Sequence, residues 1–163
     1  MPLRNILLAG AAGVSLLSAA VALGDPAPLA IGGGWVVKKT PSNYAELVQK
    51  LDNAVKANKM GLVNFASASD GARMQGFAIP GNRVVGVFRN DFARRMLAAS
   101  VPAGIEAPIR FYVTEDADGK ATLSYRTPGA VFSPYLKGAG DDLKKVADEL
   151  DLIFAKIADD ATK

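Results

Sequence analysis

Residues 79–113, IPGNRVVGVFRNDFARRMLAASVPAGIEAPIRFYV, join a strand, a short basic helix and a second strand into one continuous unit. The turn Pro80-Gly81-Asn82 releases the chain into Val84, Val85, Val87 and Phe88, a run rich in β-branched and aromatic residues. That is the pattern of a strand buried on both faces. Asn90 or Asp91 then offers a side-chain oxygen at a helix start, and Phe92, Met96, Leu97 and Ala99 fall near one face of the helix. Pro102, Gly104 and Pro108 end it. The chain returns with Ile109, Phe111 and Val113 alternating with Arg110 and Tyr112, the period of a strand with one face on a core.

Working outward from this unit, GWVVKKT is an expected first strand, and Thr40-Pro41 opens a helix. Asn43 and Glu46, at capping-box spacing, give that helix a second possible start. Tyr44, Leu47, Val48, Leu51 and Val55 recur at helical spacing, and LVNFASA is the second strand. Residues 67–75 read as a connecting turn or short helix. Beyond Val113, TEDADGKATLSY is a hairpin with Asp118-Gly119 at its tip. Asp141 or Asp142 caps a long last helix, whose Leu143, Val146, Leu150, Ile153, Phe154 and Ile157 form a continuous apolar stripe. Hairpin-linked strands with helices gathered on one face predict an α+β fold.

The first 24 residues differ in kind. MPLRN precedes ILLAGAAGVSLLSAAVALG, residues 6–24, which carry no charge. Two expectations stand side by side. A basic start at Arg4, with small residues at Ala20, Ala22 and Gly24, suits a signal peptide, whereas the length of the run suits a retained transmembrane helix in the bilayer. Ala9 and Gly13 lie four apart, a spacing that lets membrane helices approach closely, and Gly10 broadens that face. In both cases Arg4 stays cytoplasmic and the body is expected in the periplasm. No cysteine follows the run, so there is no lipobox. Residues 25–34, DPAPLAIGGG, form a Pro/Gly linker, leaving 35–163 as one domain.

A turn before a Val-rich strand, an Asn-led helix ending in Met-Leu and small residues, and then AGIEAPIRFYVTEDADGKATLSYRTP together resemble the domain of unknown function 302 family. The resemblance runs from Trp35 to the C-terminal helix and is most specific over Arg89 to Pro128. Where such domains often carry Gly-Asn-Pro after the strand, this chain has Arg89-Asn90-Asp91. The resemblance implies half of a TATA-binding-protein-like fold, a curved antiparallel sheet with two long helices on one face. It implies no activity.

The chemistry available is narrow. The 163 residues include no cysteine and no histidine, which removes disulfides, thiol nucleophiles, imidazole bases and most ordinary zinc or copper sites. A serine nucleophile lacks a base, and no S-x-x-K motif is present. Placing Gly119 at the sixth position of a calcium loop puts Thr114 first and Tyr125 twelfth, so both acids that such a loop requires are missing. No catalytic residue, metal or cofactor is expected, and without aromatic interleaving nucleic acid is a poor partner. The arginines of the body, at 73, 83, 89, 94, 95, 110 and 126, all fall in its middle part. Arg89, Arg94 and Arg95 converge on the short helix as a candidate interaction face for carboxylates. The leading expectation is a non-catalytic accessory subunit of an inner-membrane complex, with a membrane complex or a homo-oligomer as partner. The alternative is a periplasmic small-ligand or anion-binding protein released by cleavage of a signal peptide.

Overall fold

The two apolar stripes fold as the two longest helices, α1 (Tyr44–Ala57) and, at the C-terminus, α5 (Gly140–Ala161). The computed structural model describes residues 33–163. The expected membrane or signal helix over 1–24, with Ala9, Gly10 and Gly13, and most of the linker lie outside them. Among the described residues no helix is long and apolar enough to cross a membrane.

Of its two possible starts, α1 uses the second. The Asn43 side chain accepts from the Glu46 N–H, and Glu46 Oε2 accepts from the Asn43 N–H, both at 3.0 Å. These reciprocal bonds satisfy donors that a helix start otherwise leaves unpaired. At α5 the expectation is corrected. The helix begins at Gly140 with Ala139 as a cap that supplies no side-chain bond, and Asp141 and Asp142 sit in its first turn. There they act through the helix dipole rather than as caps.

The strands are β1 (Trp35–Lys39), β2 (Gly61–Ala66), β3 (Asn82–Phe88), β4 (Ile109–Glu115) and β5 (Ala121–Arg126). They form one sheet in the order β1-β5-β4-β3-β2, antiparallel throughout. Between them lie α2 (Ala68–Met74), α3 (Asn90–Ala99) and α4 (Pro128–Phe132). The short helix alternative for residues 67–75 is therefore the one adopted, with Ser67 as its cap, accepting from the Asp70 N–H at 3.1 Å. The β4–β5 hairpin turns at Asp118-Gly119, where Gly119 has φ of 76°. That left-handed conformation is nearly free of cost only for glycine.

One sheet face is covered. Register aligns Val85 with Phe111, Phe111 with Tyr125 and Tyr125 with Val36, and these side chains meet the helices. Phe111 stacks on Phe154 of α5 at 4.8 Å and tilts against Tyr125 at 4.9 Å. Leu47, Leu51 and Val55 of α1 and Leu143, Val146 and Ile157 of α5 are fully buried in the same core. The opposite face bears Trp35, Val37, Arg126, Ser124, Arg110, Tyr112 and Val84. Burial of β3 is thus not equal on its two sides. Val85 and Val87 are buried against the helices, while Val84 on the other face is partly exposed. Its unbroken apolar run therefore marks a central strand, not a sheet with both faces covered.

In α3 the expected apolar face holds for Phe92 and Met96, but Leu97 is 44% exposed. Leu97 instead lies by Gly104, in the 3₁₀ turn Pro102–Glu106 that follows α3. The cap at α3 also differs from expectation. Its N-cap is Arg89, which makes no side-chain capping bond, and Asp91 falls within the first turn.

Candidate functional site

Three surfaces carry side chains able to meet another molecule. The first is the arginine face on α3. Arg89 donates to both Asp91 oxygens, at 2.7 and 3.0 Å, and Arg95 grips Glu149 of α5 through two bonds of 2.8 and 2.6 Å. Both guanidinium groups lie over Phe92, at 4.3 and 5.5 Å from its ring centre. The bond from Arg89 holds the Asp91 carboxyl below its ordinary range, and that from Arg95 does the same for Glu149. The fold therefore gathers Arg89 and Arg95 around one aromatic ring but gives each an acid of its own. Arg94 is exposed and makes no ion pair among the described residues. An incoming carboxylate would have to displace Asp91 or Glu149 from bidentate pairs.

The second surface is the outer edge of β2. This strand ends the sheet, and no described strand pairs with its far side. Its residues, GLVNFA, include no charge. The register slips between Leu62 and Asn64, so Val63 is the extra residue of a β-bulge and stands 53% exposed, with Phe65 at 64%. Phe65 lies on the sheet side that the helices cover elsewhere, and Arg83 stacks over its ring at 4.4 Å. Arg83 is held there by Asp70 of α2 at 3.2 Å. Ser67 and Arg83 together keep the Asp70 carboxyl below its usual range. Met74 at the end of α2 and Phe77 in the connection that follows add two more exposed apolar side chains.

The third is the open face of the sheet, which holds a cavity of about 460 Å³. Trp35, Val84, Arg110, Tyr112, Ser124 and Arg126 are among the residues that line it. Arg110 and Arg126 lie 16 residues apart in the chain, and only the strand register brings them together. Alternation in β4 already separates Arg110 and Tyr112 from Ile109, Phe111 and Val113, and this was the one available signal for an exposed polar face.

The neighbouring carboxylates Glu115 and Asp116, and Asp142 at the start of α5, are engaged within the fold. Glu115 accepts from the Gly81 N–H at 2.7 Å, Asp116 from the Thr122 hydroxyl at 2.7 Å, and Asp142 pairs with Lys145 at 3.1 Å. Among the described residues no group of acids is arranged to hold a metal ion.

Residues 36–160 match the family model described as "Domain of unknown function DUF302". The chain belongs to the DUF302 family. The fold of this DUF302 domain is similar to that in a crystal structure of an uncharacterized conserved protein DUF302 from Bacillus stearothermophilus. The two share 15% sequence identity with a TM-score of 0.69, over 80% of this chain and 99% of that one. At that identity the likeness is one of fold. A comparison of the DUF302 chain with curated proteins finds no match.

Proposed function

We propose that this DUF302 protein is a non-catalytic accessory subunit of an inner-membrane complex, and that β2 is the edge through which its periplasmic domain meets a partner. The observation that carries this reading is the composition of that edge. Natural sheet edges are commonly guarded by lysines or other charges, because an unpaired row of N–H and C=O groups templates another strand. The β2 edge has none, and it presents Val63 and Phe65 to solvent. A partner strand laid along Asn64–Ala66 gains backbone hydrogen bonds, while Phe65 supplies an aromatic anchor already oriented by Arg83. The absence of histidine and cysteine from the sequence, and the engagement of its carboxylates in turns and ion pairs, support a binding role over a catalytic one. The uncharged run at residues 6–24 supports attachment to the inner membrane, with the domain on its outer side.

Purification of the full chain from membranes in mild detergent, without crosslinking, tests this. The reading expects a stoichiometric membrane-protein partner that is lost when Val63 and Phe65 are both replaced by lysine. Elution of the parent chain by itself as a monomer contradicts it. Elution as a dimer that the same substitutions dissociate assigns the edge to a second copy instead.

A further inference from the structure

Away from the β2 edge, the open face of the sheet has a charge problem of its own. In register, Trp35 faces Arg126 on β5, and Arg110 on β4 faces Gly86 on β3. The β4–β5 register pairs Phe111 with Tyr125, so the next residues outward, Arg110 and Arg126, stand opposite each other on the open side. Directly opposed residues of antiparallel neighbours hold their Cβ atoms about 4.5–5.5 Å apart, and like charges at that spacing repel.

On the α3 face Arg89 is paired with Asp91 and Arg95 with Glu149. Arg110 and Arg126 have no acid partner among the described residues. Arg126 donates a long bond, 3.4 Å, to the Ala130 carbonyl. Glu106 also lines the cavity, but it makes no ion pair with either arginine and accepts from the Tyr135 hydroxyl at 2.8 Å.

What surrounds the two guanidinium groups is suited to an organic body. Trp35 and Tyr112 put aromatic surface into the cavity wall and Val84 adds an aliphatic one. Ser124, at the same wall, is buried, and its hydroxyl donates a long bond, 3.5 Å, to the Tyr112 carbonyl. Gly86, opposite Arg110, is covered by Asn64 and Pro108, which a Cβ there would run into, so the open part of the face lies toward β5 and β1. A volume of about 460 Å³ falls in the range of small-molecule sites.

We infer that this face binds a small organic anion, an aromatic or similarly flat body bearing a carboxylate or phosphate. Arg110 and Arg126 receive the anionic head, and Trp35 and Tyr112 contact the body. Guanidinium suits this role because its planar fork meets carboxylate and phosphate oxygens two at a time. This assignment stands independently of the β2 edge.

Trp35 is the single tryptophan of the chain, so its fluorescence reports on the cavity directly. The test titrates the full chain with benzoate and with phenyl phosphate, following Trp35 emission. A saturable change at millimolar concentration or below is expected for at least one probe, weakening as salt is raised. Inorganic phosphate, which lacks the body, should bind more weakly than phenyl phosphate. Arg110→Gln combined with Arg126→Gln should weaken binding at least ten-fold, whereas Arg94→Gln should leave it unchanged. If the double variant melts differently from the parent, Arg110→Lys and Arg126→Lys serve in its place, keeping the charge but not the fork, with a smaller loss expected. No saturable change with either probe overturns the assignment. So does equal affinity in the arginine variants, or inorganic phosphate binding as tightly as phenyl phosphate.

Discussion

The sheet has two edges, and they are finished in opposite ways. β1 carries Lys38 and Lys39, and Lys38 is tied to Asp159 near the end of α5 at 2.7 Å. Beside it, Asp160 is held by Lys156 and Lys163, each at 2.9 Å, and by Asn58 at the end of α1 at 3.1 Å. A strand approaching β1 must strip water from charges that the chain itself already uses. At β2 the side chains exposed along the edge are Val63, Asn64, Phe65 and Ala66, with no lysine among them. Protection by charge is thus selective in this fold, and the edge without charged side chains is the one that exposes Phe65.

Both edges hang on one core, so the deepest cut separates folding from recognition. Leu150 is buried beside Met60, Val87, Phe92 and Phe132, around a small void of about 30 Å³. Leu150→Ala should cost about 2–5 kcal/mol in denaturant unfolding, because that region already has a gap and the cavity enlarges. A loss below about 0.5 kcal/mol would place the side chain outside the cooperative core. By contrast, Val63→Lys with Phe65→Lys should leave unfolding within about 1 kcal/mol of the parent, since both side chains are solvent-facing. The same pair should weaken retention of the partner at least about ten-fold, or roughly 1.4 kcal/mol, measured by co-elution at fixed detergent and salt.

How much of this contrast is readable in the sequence differs between its parts. The periodicities of α1 and α5 and the Asp118-Gly119 turn are local, so Leu47, Leu51, Leu150 and Phe154 declare themselves as core without any knowledge of the fold. The expected α3 interaction face rests on adjacency in the chain. What adjacency cannot reveal is that Glu149, 54 residues beyond Arg95, reaches back to neutralise it. The edge character of β2 depends on strand order, which is not encoded in GLVNFA itself. Opposition of Arg110 and Arg126 is a matter of register across a hairpin. Leu97 misleads for a related reason: it has helical spacing with Phe92 and Met96, yet the 3₁₀ turn after α3, not the core, is what it meets.

Acid should weaken the β1 side through Asp160. Lys156, Lys163 and Asn58, in that order of effect, hold the Asp160 carboxyl well below the usual carboxylate range. Its folded pKa thus lies under its unfolded one, so its contribution to stability is fully present above about pH 4 and is lost as pH falls toward the folded value. Melting temperature should decline with acid below about pH 4, and Asp160→Asn should flatten that decline. An unchanged slope would show that other carboxylates govern it. Smallest of all is Lys38→Ala. An exposed ion pair is worth about 0–1 kcal/mol, so stability should shift by no more than that, and partner retention should not change. Loss of the partner in that variant would move the interface to the guarded edge.

Amide hydrogen exchange on the two edges, compared between the full chain in its membrane-extracted assembly and the same chain dissociated from it, tests the central claim most directly. If β2 is the recognition edge, amides of Leu62–Ala66 should be protected in the assembly and exchange faster once the partner is gone, with those of Trp35–Lys39 unchanged. Protection confined to β1, or exchange on β2 that is the same in both states, would contradict it.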